Sequence, residues 1–157
     1  MQVYGVVFPG DANHPDLLDP PFQVPAGVSD HVEHMLIDLE VPPGTDIRLW
    51  SMFSHMHYAG RDIKLGLRRA DEEICLAHNP MWDFDWQRTY VYDAPFDELP
   101  QVLPGDQLEI RCTYDNSTEN PALMEALAAE GIPAPIPFEA GESTTEEMCV
   151  AIIGVVY

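Results

Sequence analysis

Two histidines separated by one residue, in His55-Met56-His57, are the strongest candidates for chemistry in this chain. Side chains of an extended strand alternate between its two faces, so residues i and i+2 point the same way. We therefore expect both imidazoles on one side of a sheet, where they would form a two-nitrogen chelate. A thioether from Met148 on another strand would complete a site suited to Cu(I), because soft sulfur ligands select copper over zinc, calcium or magnesium. Without that convergence, the pair is equally compatible with two surface or partly buried histidines.

The residues before the pair predict where it lies on the sheet. Leu49, Ser51 and Phe53 occupy alternate positions leading up to His55 and His57. This spacing predicts that the histidines continue an apolar stripe on one face of a strand. A metal bound there would lie at the edge of a packed surface and be partly shielded from water.

The composition excludes several classes of partner. The 157 residues carry a formal net charge of -20, from 27 Asp and Glu against 7 Lys and Arg. Such a field repels nucleic acid and anionic membranes, so we expect no nucleic-acid partner. No apolar run approaches the roughly 20 residues of a membrane span, and we expect none. The first residues lack a basic stretch followed by an apolar core, so no signal peptide is predicted.

Short segments rich in β-branched and aromatic residues, broken by Pro and Gly, predict an all-β sandwich or jelly roll in one domain over residues 1–157. One short helix is predicted within a long loop excursion at 117–143, with Asn120 as N-cap, Pro121 at the first helical position and Gly131 just past the end. Leu103-Pro104-Gly105-Asp106 has the pattern of a type II turn. The predicted strands are His34–Val41, Asp46–Tyr58, Ile63–Leu67, Glu73–His78, Gln87–Tyr92, Gln107–Tyr114 and Met148–Tyr157.

Aromatic residues recur at period-2 spacing between positions 82 and 92, which predicts one packed sheet face rather than a ligand platform. These residues are Trp82, Phe84, Trp86, Tyr90 and Tyr92.

The three cysteines, Cys75, Cys112 and Cys149, cannot all pair within the chain. Cys112 lies near the end of one predicted strand and Cys149 near the start of the last. A disulfide between them would close a loop of roughly 37 residues, worth on the order of 3–4 kcal/mol, and would favour an oxidising compartment. Two reduced, buried thiols are the alternative. Cys75, between Ile74 and Leu76, is predicted to be a buried free thiol.

Several motifs occur together in a fixed order and give the chain a family resemblance. The sequence from about Val24 onward resembles the C-terminal domain of the copper type II, ascorbate-dependent monooxygenases, the peptidylglycine α-hydroxylating and dopamine β-monooxygenase family, and looks like its bacterial branch. The motifs are Ser54-His55-Met56-His57-Tyr58-Ala59-Gly60-Arg61, Trp82-Asp83-Phe84-Asp85-Trp86-Gln87, Leu103-Pro104-Gly105-Asp106, Arg111-Cys112-Thr113-Tyr114-Asp115-Asn116-Ser117 and Gly141-Glu142-Ser143-Thr144-Thr145-Glu146-Glu147-Met148-Cys149.

This resemblance implies an antiparallel jelly-roll sandwich of eight to nine strands with one mononuclear copper where O2 is activated. It implies His55, His57 and Met148 as ligands and a Cys112–Cys149 disulfide. The implied reaction is hydroxylation of a C–H bond, with ascorbate as the reductant of the complete enzyme. The implied location is extracytoplasmic, either periplasmic or secreted.

Two departures from the family pattern qualify this expectation. The family's N-terminal domain, which carries a second, electron-supplying copper, is absent from this chain. Full turnover is therefore expected to need an upstream copper domain, and His14, His31, His34 and His78 are not assigned to a second site. A copper storage or delivery module without catalysis is the alternative function. A third possible function is purely structural, a β-sandwich whose metal site is not used.

The second departure is in the residues that line the substrate pocket. Phe53 occupies the position where the peptide-processing member of the family has an Arg that binds the substrate carboxylate. Val150 and Ile152 replace a family Asn and Tyr that follow the ligand Met. A substrate carboxylate would have no partner here, and burying one unpaired is costly. We therefore expect a small, apolar substrate.

Overall fold

The computed structural model of the chain describes residues 2–5 and 22–157 and confirms an all-β architecture. His14 lies outside the described residues. The elements are β1 (Gln2–Gly5), β2 (Gln23–Val24), β3 (Val28–Asp38), β4 (Ile47–His55), β5 (Gly60–Arg69), β6 (Glu72–Asn79), β7 (Thr89–Val91), β8 (Gln101–Val102), β9 (Gln107–Asn116), α1 (Pro121–Ala129), β10 (Phe138–Glu139) and β11 (Val150–Val156).

Two antiparallel sheets enclose the hydrophobic core. One sheet has the order β1-β11-β4-β7, with β8 also pairing with β4, and the other has the order β3-β9-β5-β6. Buried side chains of both sheets form one cluster, including Leu49 of β4, Ile110 of β9 and Ile153 of β11. A two-sheet sandwich follows from this packing, whereas the jelly-roll connectivity stays a prediction. Strands β2, β8 and β10 have two residues each, too few for an alternating pattern to reveal them.

Local signals in the sequence correctly located the helix and one turn. The Asn120 side chain accepts a hydrogen bond from the Leu123 N–H at the start of α1. In the turn before β9, the Asp106 N–H donates to the Leu103 carbonyl over 3.1 Å. Gly105 has φ +90°, which type II geometry requires and side chains other than glycine rarely adopt. No helix among the described residues has the length and apolar character to cross a membrane.

A β-bulge at Trp50 changes which side chains of β4 face the core, so the predicted face of this strand is wrong. Leu49 pairs with Val155 and Ser51 pairs with Gly154, so Trp50 is an extra residue with no partner on β11. An extra residue reverses the alternation of side chains beyond it. Leu49 is fully buried before the bulge, and Met52 enters the core after it. The predicted apolar stripe through Leu49 is therefore wrong, and the end of β4 turns its other side chains away from the core.

Phe53 and His55 lie on this outward face. Directly opposite on β11, Val150 pairs with His55 and Ile152 pairs with Phe53. The intervening β11 residue, Ala151, belongs to the core. Because successive strand residues point to opposite faces, all four outward residues share one surface of the sheet. The first histidine and the three predicted pocket residues are thus cross-strand neighbours.

Candidate metal centre

The two candidate ligands His55 and His57 lie side by side, although not in one strand. Strand β4 ends at His55, and His57 lies in the turn that leads to β5. The imidazole centroids are 5.0 Å apart and the ring planes meet at 77°. The prediction that both histidines lie on one face of a strand is therefore wrong. The two rings are neighbours because the turn after β4 brings His57 alongside His55.

The strand ends there because its next N–H groups bind a carboxylate. The His57 N–H donates to Glu147 Oε2 and the Ala59 N–H donates to Glu147 Oε1, each over 2.8 Å. A backbone donor used in this way is not available to a neighbouring strand. The Gly60 N–H closes the turn by donating to the His57 carbonyl over 3.2 Å.

Gln87 determines which ring nitrogen of His55 carries the proton. His55 Nδ1 lies 2.6 Å from Gln87 Oε1. The Gln87 amide nitrogen donates to the Phe84 carbonyl over 2.8 Å, which orients its oxygen towards the imidazole. An amide oxygen only accepts, so Nδ1 of His55 carries the proton. The lone pair of a neutral His55 is then on Nε2, free to bind a metal ion.

A main-chain carbonyl determines in the same way which ring nitrogen of His57 carries the proton. His57 Nδ1 lies 2.8 Å from the Glu146 carbonyl oxygen, which again only accepts. Burial lowers the pKa of His57, although the bond to the Glu146 carbonyl acts in the opposite direction. His57 is therefore neutral around pH 7, with its Nε2 lone pair available. Neutral imidazole with the other nitrogen hydrogen-bonded is the usual state of a metal-ligating histidine.

The pair fits a single metal ion. Two imidazoles bound through Nε2 at about 2.0 Å and at about the tetrahedral angle have centroids roughly 5 Å apart, as observed for His55 and His57. Among the described residues, no three or more His, Cys, Asp or Glu side chains form a metal-binding group. A thioether beside the two imidazoles would favour Cu(I).

The main chain of Met148 lies close to that of His57, because Glu147 Oε2 accepts from the Met148 N–H over 3.0 Å and from the His57 N–H over 2.8 Å. Met148 directly precedes Cys149 and β11. Met148 is 7% exposed. Its carbonyl accepts a hydrogen bond of 2.8 Å from the buried Tyr114 hydroxyl. The next residue, Cys149, is joined to Cys112 by the expected disulfide, with Cα atoms 5.9 Å apart.

The aromatic tract does not form the predicted sheet face. Strand β7 begins at Thr89, and the segment before it is a loop that lies over the histidines. The Phe84 ring is 6.3 Å from His55 and 6.2 Å from His57, and it packs 4.3 Å from the Tyr58 ring. Trp86 is 56% exposed. The period-2 spacing is therefore misleading, because a turn at Phe84 and Asp85, closed by the Trp86 N–H donating to the Asp83 carbonyl over 3.0 Å, breaks the extended conformation that the spacing assumes.

Cys75 is more exposed than predicted, and Asn116 is buried. Cys75 is a free cysteine, as expected, but it is exposed and not buried. It lies on β6, at the edge of its sheet, and pairs with Gly66. Asn116, which begins a formal glycosylation motif, is completely buried. Its amide nitrogen, which carries two hydrogens, lies within hydrogen-bonding distance of three backbone carbonyls and so joins separate segments of the main chain.

Gln87 and Glu147 contact the candidate site, and the sequence did not predict either contact. Both belong to motifs noted for their order in the sequence, but neither residue type indicates that it will bind a histidine or a turn. Their contacts span 32 residues for Gln87 and 90 for Glu147. No local periodicity encodes contacts of that range.

Replacing Gln87 with alanine is expected to weaken copper binding by about 10- to 100-fold, because His55 loses the partner that fixes its tautomer and ring orientation. A competition titration with a Cu(I) chelator measures the change. Gln107→Ala is the matched control, since Gln107 bonds to Asp38 on the other sheet. Equal affinity in both variants would contradict the assigned role of Gln87.

The sequence is similar to known proteins over most of its length. Residues 33–131 match the family described as "Copper type II ascorbate-dependent monooxygenase, C-terminal domain". This range includes His55, His57 and Cys112 and ends before Met148 and Cys149.

Two curated relatives are both named DBH-like monooxygenase protein 1. The mouse protein is 30% identical over 115 residues, which are 73% of this chain and 15% of the relative. The human protein is 30% identical over 118 residues, which are 74% of this chain and 16% of the relative. The chain spans about a sixth of the length of the curated relatives it matches. Both are mammalian, so they give no support to the expected bacterial branch.

Proposed function

The chain belongs to the family of C-terminal domains of copper type II, ascorbate-dependent monooxygenases, and on that premise we propose that it is the domain at which such an enzyme activates O2 and hydroxylates a C–H bond. The proposed copper ligands are His55 Nε2, His57 Nε2 and the Met148 thioether. The observation that carries this proposal is the imidazole pair, in which Nδ1 of each ring faces a fixed acceptor, so that Nε2 carries the lone pair of each neutral ring.

Copper held by two imidazoles and a thioether is stabilised as Cu(I) and supplies one-electron chemistry towards O2. The protein's own contribution is to hold the ligands and to limit water. The Phe84 ring lies 6.3 Å from His55 and 6.2 Å from His57, and we propose that this apolar ring limits the access of water from that side. Gln87 and the Glu146 carbonyl keep the two rings oriented before the metal arrives, which avoids reorganisation on binding.

An apolar substrate suits the surface beside His55. Phe53, Val150 and Ile152 are neighbours there and present only hydrocarbon. These side chains offer no donor to a substrate carboxylate, and burying an unpaired carboxylate would cost several kcal/mol. We propose that the substrate is a small molecule whose reacting carbon belongs to an apolar group.

The remaining parts of the reaction concern the native protein as a whole. We propose that ascorbate is the reductant and that a further copper domain, upstream in the native protein, supplies the second electron. The Cys112–Cys149 disulfide supports an extracytoplasmic location, because such bonds persist in oxidising compartments. We propose that residues 1–157 act as one copper domain within such a protein.

Anaerobic Cu(I) binding, followed by copper K-edge X-ray absorption, tests the ligand set. One copper per chain with two nitrogen neighbours and one sulfur is expected for the wild type. Met148→Leu is expected to lose the sulfur, whereas Met81→Leu, whose methionine is 82% exposed, is expected to keep it. A sulfur-free wild type, or sulfur that persists in Met148→Leu, would overturn the proposed site.

Oxygen consumption by the copper-loaded native protein tests the reaction. With ascorbate and candidate apolar substrates, O2 uptake coupled to hydroxylated product is expected in the wild type and not in Met148→Leu. Stoichiometric copper without any such uptake would instead favour a storage or delivery module.

A further inference from the structure

Glu147 is a carboxylate buried in the protein, with 1% of its surface exposed. Among the described residues it has no salt-bridge partner, and its oxygens accept from backbone N–H groups. Burial raises the pKa of Glu147 to about 7, although hydrogen bonds from the His57, Met148, Ala59 and Gly60 amides act in the opposite direction. Buried carboxylates are rare because removing the charge from water is costly.

The carboxylate joins two segments that are far apart in the sequence. Oε2 accepts from the His57 N–H over 2.8 Å and from the Met148 N–H over 3.0 Å. Oε1 accepts from the Ala59 N–H over 2.8 Å. One planar group therefore holds the main chain of the second histidine and the main chain of the methionine at the same time.

The other contacts that hold Met148 act from a different direction. The Tyr114 hydroxyl and the Cys112–Cys149 disulfide both attach this segment to β9, in the opposite sheet. Neither of them reaches His57. The link between His57 and the segment that precedes Met148 includes the Glu146 carbonyl on the ring and the Glu147 carboxylate on the main chain.

An apolar side chain in this place would leave the His57, Ala59 and Met148 N–H groups without the acceptor that they use, which is costly for buried donors. Buried polar groups are best attested where they fix a geometry. Here the geometry that is fixed is the distance between a proposed imidazole ligand and a proposed thioether ligand.

We propose that Glu147 is a positioning residue that holds the His57 turn and the Met148 segment in their metal-binding arrangement before copper is bound. This inference rests on the proposed copper site and adds that the site is preorganised. The carboxylate contributes no ligand, so its effect on the metal is exerted through His57 and Met148.

Amide hydrogen exchange of the metal-free wild type is the first test, because it needs neither copper nor a variant. The His57 and Ala59 amides are expected to exchange at least about 100-fold more slowly than an unstructured chain, and copper is expected to add little protection. Fast exchange of both amides that becomes slow only when copper is added would overturn the proposal.

Glu147→Gln is the second test, because it keeps the shape of the side chain but turns an N–H donor towards backbone N–H groups. Cu(I) affinity is expected to fall by about 10- to 100-fold, as for other groups that orient ligands. The X-ray absorption spectrum is expected to lose sulfur while keeping two nitrogens. Glu142→Gln removes the same charge from an exposed position five residues earlier and is expected to match the wild type.

The outcomes separate this inference from the proposed function. If the wild type binds copper with sulfur and Glu147→Gln does so with the same affinity and the same amide protection, the positioning role is wrong and the copper site stands. If the wild type binds no copper, the proposed function is wrong. A lower melting temperature of Glu147→Gln with unchanged sulfur coordination would show a structural role alone and overturn the inference.

Discussion

Replacing His57 with alanine is expected to lower the Cu(I) affinity by about a hundredfold or more. Binding free energies of ~10–16 kcal/mol for four-ligand protein metal sites correspond to about 3 kcal/mol per ligand, and each 1.4 kcal/mol is a factor of ten. His57 also contributes its ring contact to the Glu146 carbonyl, which lies two residues before Met148. Loss of the imidazole therefore removes one ligand and loosens the segment that carries another.

A competition titration against a Cu(I) chelator measures this change. His78→Ala is the matched control, since His78 is exposed and pairs with Asp62 over 2.7 Å, away from the candidate site. We expect His78→Ala to bind copper as the wild type does. Equal affinities for the two variants would show that copper, if bound, is held elsewhere.

Removal of the Cys112–Cys149 disulfide is expected to destabilise the protein by about 3–4 kcal/mol. The bond closes a loop of 37 residues, and the loop-entropy relation gives this value for the unfolded chain. For a chain of this length, such a loss lowers the melting temperature by about 10 °C. Because Cys149 follows Met148 directly, the double variant Cys112→Ser/Cys149→Ser is also expected to bind copper more weakly.

Thermal unfolding with and without a reducing agent measures this effect. The wild type and Cys75→Ser are expected to lose stability on reduction, because Cys75 is free and exposed. The double variant is expected to be insensitive to the reductant. A double variant as stable as the wild type would mean that the loop is already constrained when the protein is unfolded.

The parts of the fold that sequence reasoning located correctly are those set by neighbouring residues. Asn120 and Pro121 begin α1 as their residue types predict, and Gly131, with φ +75°, follows the end of the helix. Gly105 occupies the turn position that needs a positive φ. Each of these features depends on main-chain geometry within a few residues.

The failures arise where a distant segment decides the conformation. The alternation in β4 is reversed at Trp50 because β11 offers no partner for that residue, and nothing within β4 announces the gap. His57 leaves the strand because a carboxylate 90 residues later takes its N–H. The two imidazoles are neighbours, but across a turn and not along one strand face, and their role as metal ligands stays a prediction.

The central position of β11 has a consequence for the order of events during folding. This strand lies between β1 and β4, and it follows Met148 and Cys149 in the chain. The histidines are synthesised some ninety residues before the methionine, so a nascent chain displays two imidazoles long before the thioether exists. The proposed set of ligands is complete only after Met148 has been synthesised and β11, which follows it, has paired with β4. Tight Cu(I) capture would therefore report that folding has finished, and an unfinished chain would hold the metal weakly enough to release it.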